Sequence, residues 1–575
     1  MTSRRWWTGI LIVAAVGICD SGCRRETPSS DATRVTPAAQ GSSSSSSAQY
    51  MNGLSAEKRR QFYHLAEGGE LFPVDWLVAL ETSVTDASGR TETRPFLETV
   101  ERFGFLPDPV SQENPYGLPV GMTVAKSVVT GLDTVGLNCA ACHVGELTYG
   151  GAKLRIDGGP NMISVPAFVK ALVAETTATA KSPARLVRFI KKARAARAQQ
   201  LARRDAAPDA EPNTRDSREA AAAIAARLAS LTTLPALKAA DTGTPEGFGR
   251  TDAFGNARNE LFSGDAVPPT APVSLPHLWG MEHTAWLQWG ANTNSVLQRN
   301  IGQIIGTGAW TRGNMSSVKV ENLGAMEDLA YEIQPPRWPD AFPKVDTQKA
   351  ARGRELYTEW CASCHEKWVT TPTGLRQYQL YSLEEAGTDP NTAVNFEKPV
   401  RLPTGEMQGF PDAAFALIDQ VRQDYYRNHN LSEETIARLE RRSLRPPPPP
   451  PIFRSPLRDS EQFPDTKGKK VYPAKTLAGI WATAPFLHNG SVPSLYDLLL
   501  PAAQRPKKFA VGQREYDPVR VGYQQDPAKY QPPPNATPTY LDTTLPGNSN
   551  AGHDWKFETL TDDQRWAIIE YLKTF

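Results

Sequence analysis

The chain has 575 residues and a formal net charge of +1, with 63 Lys and Arg against 62 Asp and Glu. That leaves room for two to four domains and gives no charge bias toward nucleic acid or an acidic membrane surface. Forty-eight prolines and 42 glycines point to long loops, and the six cysteines are Cys19, Cys23 and the pairs Cys139/Cys142 and Cys361/Cys364. With both pairs engaged, the body has no cysteine left for a disulfide, so core burial and bound groups must stabilise it.

In chain order, Arg4 and Arg5 precede an apolar run from Trp6 to Ile18 and then Cys19-Asp20-Ser21-Gly22-Cys23. The run has the length of a signal-peptide core and is short for a membrane span, so residues 1–23 are expected to be an export signal. Cys23 after Ser21-Gly22 resembles a bacterial lipoprotein cleavage site, although Asp20 departs from that pattern. Residues 24–55, with the serine run Ser42–Ser47, are expected to be a flexible tether.

Folded sequence is expected from residue 56. An apolar stretch, Val124 to Leu137, leads into Cys139-Ala140-Ala141-Cys142-His143, and Leu154 to Pro160 follows. Residues 182–240 are rich in Ala and Arg. Leu186, Phe189 and Ile190, then Ile224, Leu228 and Leu231, recur at helical spacing, which predicts a helical insertion with a solvated basic face. A second unit is expected at 343–575. Ala350, Leu356, Tyr357 and Trp360 predict a helix running into Cys361-Ala362-Ser363-Cys364-His365. Thr561-Asp562-Asp563-Gln564 is a capping-box sequence before a terminal helix, and Pro446–Pro451 is a stiff spacer.

Two thiols three positions apart can reach the two vinyl groups on one side of a porphyrin, and the next residue, His, can reach the iron. A zinc site would join the four cysteines and leave His143 and His365 idle. The two motifs therefore predict two covalently bound haem c groups, with His143 and His365 as iron ligands. Haem is attached after translocation, so the chain is expected to act in the periplasm or cell envelope. The sixth iron position decides between electron relay and chemistry. For the second haem, His553, His488 and Met407 are available; for the first, His277, His283, Met162 and Met315 are, and none stands out.

The segments 279–290 and 481–490 share Thr-Ala and a closing Gly and follow their motifs at comparable distances. That suggests duplication of one haem domain. The expected fold is mainly α: two cytochrome-c-like haem domains related by duplication, 56–342 and 343–575, with long loops and little β-structure.

With both motifs, Leu154–Pro160, Gly249–Gly255, Arg299–Gln303 and Trp481–Leu500, the chain resembles the dihaem cytochrome c peroxidase and methylamine-dehydrogenase maturation superfamily, closest to its rubber-oxygenase-like branch. The resemblance covers most of 100–575. It implies that Trp289 lies between the haems, that Arg299 and Ile304 belong to the reactive site, that His553 is the distal ligand of the second haem, and that His488 is a hydrogen-bonding neighbour. It further implies a reactive first haem, an electron-storing second haem, and either an electron-donor protein or an apolar small or polymeric substrate as partner. Peroxidases of this kind place a glutamate shortly beyond the tryptophan, but this chain has no Asp or Glu between Gly290 and Val320. Peroxide heterolysis needs a base, so oxygenase-like cleavage competes with peroxide reduction. The alternative class is an electron carrier with both irons six-coordinate.

Overall fold

The computed structural model describes residues 48–575 except 86–87, 204–242, 263–266, 313–314, 371–373, 441–469, 531, 535, 537 and 556. The expected export signal, most of the tether, the polyproline spacer and the second half of the Ala/Arg-rich insertion lie outside the described residues. The first half is a helix, Pro183–Arg203. Its Phe189 and Ala193 are buried, while Arg188 and Lys192 pair with Glu81 at 3.0 and 2.8 Å.

The expectation of a mainly α fold with little β-structure is overturned. Helices alternate with 22 strands in ten small sheets among the described residues. The apolar stretch before the first motif is a hairpin, Met122–Lys126 against Asp133–Leu137, with Val124 opposite Val135. All five residues of Asp133–Leu137 are buried, so the two-residue alternation that marks a half-exposed strand is missing from the sequence. After the motif, Val144–Tyr149 pairs with Ala152–Asp157, and Gln49–Tyr50 joins the far edge in parallel.

Duplication of one haem domain is likewise not what the structure shows. The first motif follows a strand and precedes a six-residue hairpin arm. The second follows a 14-residue helix, Thr347–Trp360, and precedes the short pair Trp368–Thr370 and Arg376–Tyr378. The likeness of 279–290 to 481–490 is confined to a turn: each has a 3-10 segment and one antiparallel bridge, Leu287 to Thr293 and Phe486 to Val492.

The helix Thr347–Trp360 does cross the terminal helix Asp562–Leu572, whose Thr561/Gln564 capping box forms as expected. Tyr357 stacks edge-on between Tyr571 and Phe575 at 5.3 and 5.2 Å. One apolar cluster runs across residue 342, joining Cys139, Val144 and Ile156 to Tyr357, Trp481, Tyr516 and Ile568. Phe342 stacks on Tyr516 at 5.1 Å and meets Trp481 at 5.8 Å.

A buried ion cluster fastens the same seam. Glu146 accepts from Arg155 at 2.5 and 3.0 Å and from Arg514 at 3.1 Å. Burial alone would raise its carboxyl pKa, but the two guanidiniums outweigh burial and hold it below the usual value of 4.5. A folded-state pKa below the unfolded one contributes stability above pH about 4.5 that is lost as pH falls through the folded value. Glu146→Gln takes the carboxylate from the buried Arg155 and the part-buried Arg514 and is expected to cost about 3 kcal/mol at neutral pH. In urea titrations across pH, the variant should also show a flatter acid limb than the parent; an equally steep limb would assign the acid transition elsewhere.

Candidate functional site

The first motif is a single helical turn, Cys139–Cys142, set by its flanks. Asn138 caps it, accepting from the Ala140 amide at 3.0 Å while its Nδ2 donates to the carbonyls of Phe62 and Leu65. Gly121, at φ +81°, passes so close that a Cβ there would lie 2.0 Å from the Ala141 nitrogen. Only glycine allows that approach. Burial pushes the Cys142 thiol up to about 12. Burial and then the Glu67 carboxylate push Cys139 well above its usual value. Among the described residues no group of three or more His, Cys, Asp and Glu is arranged to hold a metal ion, so the two pairs do not form one four-ligand site.

His143 is buried, and its Nδ1 lies 2.8 Å from the Pro276 carbonyl. A carbonyl only accepts, so Nδ1 carries the hydrogen and Nε2 keeps its lone pair. The neighbour of Nε2 is Arg299 Nη2, 3.5 Å away, on the helix Val296–Gly306. Arg299 also donates to the Asn300 side chain at 2.9 Å. A guanidinium stays protonated and has no lone pair to offer a metal. Ile304, on the same helix, is fully buried in an aliphatic cluster with Ile301, Ile305 and Val318.

The second motif differs at that point. His365 Nδ1 lies 2.8 Å from the Lys475 carbonyl, so its Nε2 is again the free nitrogen. Tyr381 donates to Cys364 Sγ at 2.8 Å. Here a second histidine faces the first: the His553 and His365 ring centres are 6.1 Å apart. His553 sits at φ +51° in a loop pinned by Arg505, whose guanidinium donates to the carbonyls of Asn550, Gly552 and His553. Its Nδ1 is buried with no hydrogen-bond partner, and burial keeps the ring neutral by pushing its pKa down to about 3.

Trp289 is tied to segments that hold each histidine. Its Nε1 donates to the Ser274 carbonyl at 2.8 Å, two residues before the Pro276 carbonyl that holds His143. The Lys475 ammonium lies 4.7 Å from its ring centre. Burial, and then Arg299, push that ammonium down to about 8.

Other sequence candidates are placed elsewhere. Both ring nitrogens of His488 have hydroxyl partners, Thr388 and Tyr472, at 3.4 Å. Met407 and Met315 are half exposed on short hairpins, Met162 is in the core, His283 is on the surface beside Glu282, and His277 stacks on Trp279 at 4.7 Å. Sequence reasoning missed Glu67. It is fully buried, its Oε1 accepts from the Cys139 amide at 3.1 Å, and burial lifts its pKa to about 7 despite Cys139 and Arg299. The chain therefore brings a carboxylate to the first motif from 72 residues upstream. The signal available was Gly68-Gly69: Gly68 sits at φ +113°, with a Cβ position only 2.2 Å from the Ser317 carbonyl oxygen, a close approach of the kind glycine permits.

These residues fit haem c. At the second motif a 6.1 Å gap between imidazole centres matches one metal ion with bonds of about 2 Å on each side. Each motif also presents two thiols beside a histidine oriented through Nδ1. Comparison with known proteins agrees. Residues 471–510, which contain Lys475 and His488, match the family described as RoxA-like, cytochrome c-like, and a cytochrome c-like domain implies covalent haem c. The chain is 31% identical over 90% of its length, and 92% of the relative's, to the uncharacterized protein y4iJ of Sinorhizobium fredii. It is 28% identical over 54% of its length, and 66% of the relative's, to the uncharacterized protein y4iM of the same organism. By its extent and identity the first match shows that the chain belongs to the y4iJ family, and within it carries a RoxA-like, cytochrome c-like segment.

Proposed function

We propose that this protein is an exported dihaem oxidoreductase, with a reactive haem at Cys139, Cys142 and His143 and an electron-storing haem at Cys361, Cys364 and His365. The observation that carries the reading is the asymmetry of the two histidines. His365 faces another imidazole, His553, across 6.1 Å, whereas His143 faces Arg299, which cannot ligate iron. Haem held by Cys139, Cys142 and His143 would supply an iron reactive toward dioxygen or peroxide, and haem held by Cys361, Cys364, His365 and His553 would supply an electron store. Around the first, Pro276 fixes the His143 tautomer, and Arg299 is the charged side chain nearest its free nitrogen.

Oxygenase-like oxidation of an apolar substrate is the first chemistry we assign. Arg299 cannot act as a proton acceptor, and apart from Asn300 the helix that carries it buries apolar side chains. Glu67 favours a second chemistry, peroxide reduction fed by an electron-donor protein, because a carboxyl with a pKa of about 7 is poised for proton transfer. Export, with or without a lipid on Cys23, is inferred from the N-terminal apolar run and from where haem is attached.

The holoprotein should contain two haems per chain by pyridine haemochrome. After dithionite reduction it should bind one carbon monoxide per chain. If neither haem binds carbon monoxide, the protein is an electron carrier. Oxygen-dependent cleavage of polyisoprene without added reductant separates the first chemistry from peroxide turnover with reduced cytochrome.

A further inference from the structure

The chemistry above leaves Lys475 without a part, yet it touches both halves of the site. Its backbone carbonyl holds His365 Nδ1 at 2.8 Å, and its ammonium covers the Trp289 ring at 4.7 Å. Trp289 hangs in turn from Ser274, on the segment whose Pro276 carbonyl orients His143. One chain of contacts between the two motif histidines thus runs His143, Pro276, Ser274, Trp289, Lys475, His365, and the indole in it carries a cation on its face.

A cation over an indole stabilises the neutral ring through its negative π-face. It opposes loss of an electron from that ring, because the product places two positive charges face to face in a half-buried setting. We propose that Lys475 is a positioning residue that keeps Trp289 reduced, so that electrons pass between the haem sites without the indole becoming a stable oxidation product. The proposal rests on the dihaem reading above.

The reaction it suppresses is oxidation of Trp289 by hydrogen peroxide. Two electrons leave the ring for the peroxide, whose O–O bond breaks; a ring C–H becomes C–OH, and one water is released. In the unprotected protein each equivalent of oxidised Trp289 consumes one peroxide.

The test uses the holoprotein with Lys475→Met, which keeps the backbone carbonyl and removes the charge, and Lys475→Arg, which keeps the charge. Each is exposed to hydrogen peroxide without electron donor, and the peptide carrying Trp289 is quantified by mass spectrometry. Lys475→Met should raise the oxygen adduct on Trp289 by about fivefold or more, and Lys475→Arg should stay near the parent level. Lys475→Gln repeats the neutral arm if Lys475→Met does not accumulate. Equal oxidation in the neutral and parent proteins overturns the proposal, and so does equal elevation in Lys475→Met and Lys475→Arg, which would make the effect one of packing. Haem content and carbon monoxide binding are measured on the same samples. Loss of two-haem stoichiometry in the parent sinks the dihaem reading, whereas normal stoichiometry with unchanged Trp289 oxidation sinks only the role of Lys475.

Discussion

Replacing His553 by glycine is expected to open the second haem, raising carbon monoxide binding of the reduced protein from one to two per chain. Among the described residues, His553 is the group of the second site with a ring beside His365 and a buried, unpartnered nitrogen. Glycine is the informative substitution because residue 553 sits at φ +51°, where a side chain is strained and glycine is not. The loop should keep its shape, since Arg505 holds it through backbone carbonyls rather than through the imidazole. Added imidazole should occupy the space left behind and restore the six-coordinate spectrum. A variant that still binds only one carbon monoxide would remove His553 from the ligand set and return the choice to the other candidates.

The second large effect is on stability. Gly353 lies where the helix Thr347–Trp360 crosses the terminal helix, and a Cβ there would stand 1.8 Å from the Ala567 carbonyl oxygen and 2.9 Å from Tyr571 Cβ. The first obstacle is backbone, which cannot rotate aside. Gly353→Ala, which in an exposed helix would gain about 1 kcal/mol, should here destabilise. Gly353→Val should cost about 3 kcal/mol or more, because the two helices must move apart and uncover Tyr357 and Ile568. Urea unfolding followed by the absorbance of the second haem reports it directly. If Gly353→Ala proves neutral or stabilising, the crossing is looser than the structure has it.

The two Cys-x-x-Cys-His motifs were legible in the sequence because five consecutive residues hold the whole attachment chemistry. Helical spacing likewise gave the helix before Cys361, and the Thr561/Gln564 capping box gave the start of the terminal helix. The β-structure was not legible. Its strands are short and several, such as Asp133–Leu137, are buried on both faces, which erases the alternation that marks a strand. A shared turn motif then suggested domain duplication, whereas the elements flanking the two motifs are different in kind.

What set the two motifs apart was decided at long range. The carbonyls that orient His143 and His365 come from 133 and 110 residues away, and the Glu67 carboxylate from 72. The chain has no acid between Gly290 and Val320, yet Glu67 reaches the first motif from upstream, because proximity in a folded chain does not follow order along it. Sequence alone determined that the chain carries two Cys-x-x-Cys-His motifs, since each is five consecutive residues. Only the tertiary structure set His553 against His365, Arg299 against His143 and Lys475 over Trp289, since what faces a ring nitrogen or an indole depends on how distant segments pack.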